Sequence, residues 1–506
     1  MMQFKELFKS IPFACQKIKS TSLWESEFAG QIKTDWSLVD PSDIFIAIRG
    51  SKFDSHIFLN QAAVKNPKVI ISESSDSIDP NYKGAVIVVS STRQVLALLA
   101  SELYGNPSGR LACFGITGTN GKTSTTFIMQ YLLQKMGFPT ARIGTLGSFF
   151  GETEIAGTHT TPGPLELQFQ IKFFADQGAK ALVMEVSSHA LEQYRVDGVM
   201  YDAVGFTNLT HDHLDYHLTM EKYFLAKSRL FTDLLNSSTK EPLLAVVNID
   251  DPWGKKLLVT SKAKSLAFGK NAHHGLRYTL DKVTFEGTYF YLHDSFSKEL
   301  FFIPIIGEHN VQNYLLALGI LQFYQLSPKV ASEFMKDFEG IPGRLQAVKN
   351  KKGVYVFIDY AHTPDALEKV LVTLKQIRNT MGAESTKIRL IFGCGGERDR
   401  AKRPIMASIA EHNSDRVYVT SDNPRGEDPG QIINEIVQGF KLASYEVVED
   451  RRLAIQKALS DAKSGDVVLI AGKGHENYQE IKGVRHPFLD YHVAMKFFED
   501  QMGGDR

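Results

Sequence analysis

The sequence predicts an α/β protein of three domains: a small N-terminal α/β domain, a central phosphate-loop domain on a parallel sheet, and a C-terminal Rossmann-like domain. Three observations carry this. The chain has 506 residues, roughly three domains at about 150 residues each. Short apolar, β-prone runs alternate with helix-like ones over most of its length, the pattern of a parallel sheet covered by helices. One glycine-rich stretch, Ile116-Thr-Gly-Thr-Asn-Gly-Lys-Thr123, stands between a predicted strand and a predicted helix.

Residues 1–108 alternate β-prone runs at 43–48, 68–72 and 84–90 with a helix-like run over 93–103. Asn106-Pro-Ser-Gly109 reads as a linker.

The central domain, 109–340, opens with an apolar strand over 111–116. A helix-like run over 125–136 follows and stops at Gly137, with Pro139 just beyond. A strand, a glycine turn and a helix start form a phosphate cradle. Backbone N–H groups and the positive end of the helix dipole face the anion, Lys122 can reach the outer phosphates and Thr123 can hold magnesium. The strict pattern has a glycine where this chain has Ile116, so the match is to the shortened form Gly118-x-x-Gly121-Lys122-Thr123. Further strands are predicted at 181–185, 203–207 and 243–248, with a β-rich appendage over 276–305 and a helix over 313–326.

Gly340-Ile-Pro-Gly-Arg344 punctuates the next boundary. In 341–506, strands at 354–359, 388–393, 417–421 and 466–471 alternate with helices. The first of those helices opens with Thr363 as N-cap, Pro364 at N1 and Asp365 in its first turn. Gly393-Cys-Gly-Gly396 lacks the full dinucleotide fingerprint, which argues against a nicotinamide site.

Bulk properties narrow the class. Lys+Arg and Asp+Glu are both 57, giving zero formal charge, which argues against a nucleic acid held by bulk charge. Three widely spaced cysteines (Cys15, Cys113, Cys394) suit a reducing compartment rather than a disulfide framework or a zinc site. There is no apolar run of spanning length and no signal-peptide h-region, so no membrane insertion is expected and the cytoplasm is the expected location.

Several polar constellations sit at predicted strand ends, where ligands gather in such sheets. Glu185 ends an apolar run and can bind magnesium through hard oxygens. Thr210-His-Asp-His-Leu-Asp-Tyr-His217 holds His213 and His217 at i, i+4, but Leu214 stands where a zinc protease has glutamate. It reads either as a polar loop or as a magnesium- or phosphate-proximal segment. Asp359-Tyr-Ala-His-Thr-Pro-Asp365, Asp422-Asn-Pro-Arg425 and Gly472-Lys-Gly-His-Glu476 repeat the strand-end position along one edge. Each alone is ordinary turn chemistry. Together, facing an ATP-binding domain, they suggest a cleft.

Together these residues resemble the Mur ligase family, the ATP-dependent amino-acid ligases of peptidoglycan precursor synthesis. The resemblance covers nearly the whole chain. Thr117–Thr123, Glu185–His189, Asn208–His217, Tyr223-x-x-Ala-Lys227, Gly307-Glu-His-Asn-x-x-Asn313, Gly343-Arg344, Asp359–Asp365 and Gly472–Glu476 stand in family order. Thr160-Thr161-Pro162, Gln193-Tyr-Arg195, Phe392–Asp399 and Asp422–Arg425 resemble the members that add meso-2,6-diaminopimelate to UDP-N-acetylmuramoyl-L-alanyl-D-glutamate.

The resemblance implies transfer of the ATP γ-phosphate to the D-glutamyl carboxylate, then attack by the incoming amine. By family position, Lys122, Glu185, His213 and Lys227 are catalytic. Thr123, Glu185, His213 and Lys227 (as its carbamate) hold Mg2+. Gly118, Thr119, Asn120, Gly121, Lys122, Thr123, Ser124, His309, Asn310, Asn313, Arg344 and Asp359 bind ATP. Thr34, Trp36, Thr160, Thr161, Ser187, Gln193 and Arg195 hold the UDP-muramoyl dipeptide, and Arg398, Asp422, Asn423, Pro424, Arg425, Gly472 and Glu476 the diaminopimelate. The chain departs from the family's usual pattern at Asp35-Trp36-Ser37, Ser51-Lys52-Phe53 and His159. A monomer is expected. The rival readings are the same reaction with L-lysine or another diamino acid, a folylpolyglutamate synthetase-like ligase, and a regulatory P-loop ATPase.

Overall fold

Four short parallel strands form the N-terminal sheet, in the order Ile32–Lys33, Ile44–Ile46, Val69–Ser72 and Ala85–Val88. They are buried runs of Ile, Val and Phe, as strands covered on both faces must be. The helix Thr92–Leu103 follows, capped by Ser91 Oγ on the Gln94 N–H. It fastens this sheet to the next layer through Ser101 Oγ, which donates to the Gly198 carbonyl at 2.8 Å. The expected linker at 106–109 is a tight turn, with Asn106 at φ +51° leading into the 3₁₀ turn Pro107–Arg110.

The structure, a computed structural model, describes residues 2–11, 23–50, 53–157, 159–260, 263–293, 297–322, 324–383, 385–442 and 445–503. Cys15, Ser51 and Lys52 therefore lie outside the described residues. Two compact units result: Met1–Arg277 with Gln312–Pro328, and Tyr278–Val311 with Lys329–Arg506. Among the described residues no helix is long and apolar enough to cross a membrane.

In the first unit the main sheet runs from its edge at Thr153–Ile155 through Gly147–Phe150, Thr140–Gly144, Ala181–Glu185, Ala112–Thr117, Ala203–Phe206 and Leu244–Asn248 to Lys264–Gly269. Leu276 and Arg277 pair beyond Phe268 and Gly269. From Thr140–Gly144 to Lys264–Gly269 every pairing is parallel. The phosphate-loop strand Ala112–Thr117 is central, in register with Glu185 through Ile116. The loop and Glu185 thus share one carboxyl edge. The helix after the loop starts at Lys122, three residues before the sequence expectation of 125. The helix expected over 313–326 is observed as Glu308–Gln322. Both first turns are polar, so their periodicity is invisible in the apolar pattern.

The second unit holds a six-stranded sheet ordered Gln346–Val348, Tyr355–Asp359, Val467–Ala471, Ile388–Phe392, Arg416–Val419 and Tyr445–Val447. All but the first pairing are parallel. The expected β-rich appendage contributes the hairpin of Thr288–His293 and Lys298–Ile303. Just before that hairpin, Phe285 packs on Tyr355 and Phe357 at ring-centroid distances of 4.9 and 6.5 Å. Glu286 accepts a 2.6 Å hydrogen bond from the Tyr355 hydroxyl.

Candidate active site

In the first unit the phosphate loop turns through Gly121 at φ +88°, where a Cβ would collide with Asn313 Oδ1. Glycine answers both demands. Asn313 Oδ1 also accepts from Thr125 Oγ1 at 3.5 Å. The loop is braced from the next strand end: Asn208 O accepts from the Thr119 N–H at 2.8 Å and Asn208 Oδ1 from the Asn120 N–H at 3.0 Å. Lys122 Nζ donates to the carbonyls of Gly118 and Thr119 at 2.9 and 2.8 Å, so its ammonium already lies over the loop. Thr119, Asn120, Thr123 and Ser124 complete the turn and the helix start.

Glu185 is fully buried and ringed by donors. Thr123 Oγ1 and Thr145 Oγ1 reach its Oε2 at 3.0 and 3.1 Å, and the Thr145 N–H reaches Oε1 at 3.0 Å. This seat exists because residue 144 is glycine: a Cβ there would collide with Glu185 Oε1.

Lys227 is also buried, at 1% exposure. It donates to the Gly118 carbonyl at 2.8 Å and lies 4.6 Å from the centre of the Tyr223 ring. Burial, and then the neighbouring Lys122, push its pKa well below the usual lysine value, against a smaller pull from Asp212. Desolvation of this kind disfavours the charged form of a lysine, and with it lowers the cost of deprotonating the amine. His213 caps the short helix Leu214–His217 from a left-handed backbone at φ 52°. Its ring lies 5.0 Å from that of His189 and 6.0 Å from that of Tyr223. His217 is buried instead, held by Ser188 Oγ and Glu192 at 2.9 Å each, so the i, i+4 pair does not act as one ligand set. Among the described residues no group of three or more His, Cys, Asp or Glu converges as a metal site. The oxygen donors Thr123 and Glu185 nevertheless fit a hard cation.

Beside Glu185, Thr161 Oγ1 donates to its backbone carbonyl at 2.8 Å and accepts from the Ser187 N–H at 3.1 Å. With the Thr145 hydroxyl hydrogen on Glu185, Thr160 Oγ1 donates to Thr145 Oγ1 at 3.1 Å. Arg195 is held by Gln193 Oε1 at 2.7 Å and by the Thr161 carbonyl at 3.0 Å. Thr160, Thr161, Ser187, Gln193 and Arg195 are thus one patch beside the phosphate loop. Thr34 directly follows the strand Ile32–Lys33 and Trp36 opens the 3₁₀ turn Trp36–Leu38, where Trp36 stacks on Phe58 at 5.4 Å and Phe58 on Phe53 at 5.3 Å.

In the second unit a cavity of about 560 Å³ opens at the sheet's carboxyl edge. Arg398, Asp422, Asn423, Arg425, Gly472 and Glu476 all line it. Pro424 is buried in the same loop. Tyr360, Lys402 and Tyr478 line it too; Tyr360 stands inside the Asp359–Asp365 stretch without having been singled out there, and Lys402 and Tyr478 lie in no motif of their own. Arg425 has φ +51°, and its Nη1 donates to the Gly396 carbonyl at 2.8 Å. The loop around it is strapped to the hairpin Tyr478–Ile481/Val484–Pro487, with the Arg425 N–H on the Glu480 carbonyl at 3.0 Å. Burial raises the Asp422 pKa, opposed mainly by Arg451 and Lys473.

Elsewhere in this unit, Asp359 accepts backbone N–H bonds from Leu345 at 2.8 Å and Ala361 at 2.9 Å, while burial raises its pKa. Arg344 is exposed, 5.8 Å from the Tyr360 ring centre. His309 is exposed at the start of the helix Glu308–Gln322, and Asn310 is buried with its amide on the Ile306 carbonyl at 2.9 Å.

Comparison with known proteins gives a consistent picture. A family model described as "Mur ligase middle domain" matches residues 116–321, and one described as "Mur ligase, glutamate ligase domain" matches residues 343–474. A UDP-N-acetylmuramoyl-L-alanyl-D-glutamate–2,6-diaminopimelate ligase of Aquifex aeolicus is 38% identical over 500 residues, covering 99% of this chain and 96% of that one. A protein of the same name from Bacillus cereus is 39% identical over 477 residues, covering 94% and 95%. A solved structure bearing that ligase name superposes with a TM-score of 0.71 at 32% identity over 99% of both chains.

Proposed function

The chain belongs to the Mur ligase family, and from that premise we propose that it is an ATP-dependent ligase. It joins meso-2,6-diaminopimelate to the D-glutamyl γ-carboxylate of UDP-N-acetylmuramoyl-L-alanyl-D-glutamate in peptidoglycan precursor synthesis. One observation supports the choice of amino acid: the 560 Å³ cavity carries Asp422 and Glu476 together with Arg398, Lys402 and Arg425. That lining suits a ligand end bearing both an ammonium and a carboxylate. Diaminopimelate has such an end beyond its reacting amine, whereas L-lysine has no second carboxylate.

The residues divide the work by chemistry. Gly118, Thr119 and Asn120 shape the turn, the backbone N–H groups of Gly121–Ser124 cradle the ATP phosphates, and Lys122 turns from the loop carbonyls to the γ-phosphate. Asn313 braces the loop, and His309, Asn310, Arg344 and Asp359 serve the nucleoside side. Thr160, Thr161, Ser187, Gln193 and Arg195 hold the dipeptide so that its carboxylate meets the γ-phosphorus in line. Thr34 and Trp36 serve the uridine. The acyl-phosphate so formed is attacked by the diaminopimelate amine. Phosphate leaves from the tetrahedral intermediate, and the amine's proton passes to a base. Positioning and charge screening supply most of the acceleration in such transfers. Thr123, Glu185, His213 and carbamylated Lys227 would hold Mg2+, which when bound screens the ATP phosphates and the transferring phosphoryl group.

On this reading the protein works as a cytoplasmic monomer without nucleic-acid partners, with 1–108 serving the UDP-substrate, 109–340 ATP and 341–506 the amino acid. The test is incubation with ATP, UDP-muramoyl dipeptide and one amino acid at a time, with the product weighed by mass spectrometry. A mass gain with meso-diaminopimelate is expected. A gain with L-lysine alone, or ATP hydrolysis with no ligated product, would reject the proposal.

A further inference from the structure

Gly472-Lys-Gly474 looks like an ordinary surface turn in sequence, yet Lys473 is wholly buried. Its ammonium has three oxygen neighbours, all on residues of the cavity wall: Asn423 Oδ1 at 3.0 Å, Glu476 Oε2 at 3.2 Å and Asp422 Oδ1 at 3.8 Å, with the Tyr478 ring 5.5 Å away. The flanking glycines admit it. Gly472 has φ +114°, and a Cβ there would sit 2.7 Å from Asp422 Oδ2.

A buried ammonium is a pure donor, and this fixes the orientation of its partners. Asn423 must turn Oδ1 toward Lys473 and also accepts there from the Glu480 N–H at 2.9 Å. Its Nδ2 is thereby directed to Glu476 Oε2, at 2.8 Å. Both hydrogen bonds to Glu476 fall on Oε2, and Oε1 accepts none among the described residues.

The charges point the same way. Asp422, Glu476 and the deeper Asp490 face Lys473 and Arg451. Arg451 is committed to Asp490 through two bonds, of 2.8 and 2.7 Å. With Arg451 so committed, Lys473 is the one buried cation between Asp422 and Glu476, and these two acids form a patch of the cavity wall that suits an ammonium on the ligand, while Arg398, Lys402 and Arg425 in the same lining suit its carboxylate.

We propose that Lys473 is a positioning residue for amino-acid recognition: it sets the Asn423 amide and holds Glu476 so that Glu476 receives the ammonium of the diamino acid's distal end. This rests on the reading of the cavity as the diamino-acid pocket. Lys473 acts through Asn423 and Glu476, so its effect should fall on one substrate and vanish when Glu476 is gone.

The experiment is a double-mutant cycle on steady-state constants with wild type, Lys473→Met, Glu476→Ala and the double variant. Hydrogen bonds to charged groups correspond to about ten- to a hundred-fold. Lys473→Met should raise the KM for meso-diaminopimelate by that much, with the KM values for ATP and UDP-muramoyl dipeptide within about two-fold of wild type. The double variant should be no worse than Glu476→Ala, because coupled residues are non-additive. Should Lys473→Met fail to fold, judged by lost ATP binding, Lys473→Gln, which keeps a donor toward Asn423, runs the same cycle. Penalties that add in full, an unchanged amino-acid KM, or all three KM values rising together would overturn the inference. Wild type inert toward meso-diaminopimelate would instead overturn the functional reading itself.

Discussion

Lys227 and Gly118 are bound to each other, ammonium to carbonyl, across 2.8 Å. The contact ties a helix residue to the first glycine of the phosphate loop, 109 positions earlier in sequence. It brings a buried lysine to the place where anionic phosphates would collect. Carbamylation would exchange that cation for a carboxylate-like ligand.

If Lys227 works as its carbamate, Lys227→Ala should lose about a hundredfold or more in kcat, the scale of removing one preorganised electrostatic partner. Added short-chain carboxylic acids should restore part of that loss. The measurement is kcat with and without acetate or propionate. Full activity in the alanine variant would remove Lys227 from the mechanism.

Gly144→Ala tests the seat of Glu185. The new methyl collides with Oε1, so the carboxylate must leave Thr123 and Thr145. Overpacking of this kind costs ~1–3 kcal/mol of stability. We expect a lower urea midpoint together with a fall in kcat of roughly tenfold or more. Unaltered turnover would show that this placement of Glu185 is dispensable.

Arg425 should decide selectivity. Replacing it leaves the distal carboxylate of diaminopimelate unpaired, about 2–5 kcal/mol, or roughly thirty-fold to several thousand-fold in kcat/KM. Its left-handed backbone makes Arg425→Asn the cleaner variant, since asparagine tolerates that conformation better than alanine. Arg425→Lys should rescue little, because an ammonium lacks the planar fork. Activity on L-lysine should change much less. Equal losses for both amino acids would assign Arg425 to the loop rather than to the ligand.

The pair Arg451–Asp490 is fully buried on both sides. Arg451→Met leaves Asp490 charged and alone, so unfolding stability should drop by about 3–5 kcal/mol. Arg451→Met combined with Asp490→Leu should recover most of that. Urea denaturation of the three proteins reads it directly, and a double variant as weak as the single would contradict the account.

The strands and the phosphate loop were legible because both are local: a five- or six-residue apolar run, or a glycine spacing, needs no tertiary partner. The cavity residues were legible through Asp422–Arg425 and Gly472–Glu476, whose strand-end positions brought them to one edge. Lys473 was not, since burial of a lysine depends on Asn423 and Glu476 folding around it. Arg451 and Asp490 are 39 residues apart, and nothing local marks either as core. The first turns at Lys122 and Glu308 were hidden by their polarity.

The stretch 278–311 also has a history in time. It leaves the ribosome before 329–506, the remainder of its own compact unit. Phe285 and Glu286 therefore emerge ahead of Tyr355 and Phe357, the side chains they later meet. A gene fragment beginning at codon 341 would encode a sheet whose Tyr355 and Phe357 had permanently lost these contacts. An excised version of this unit keeps those contacts only if 278–311 comes with it, grafted or supplied as a separate peptide.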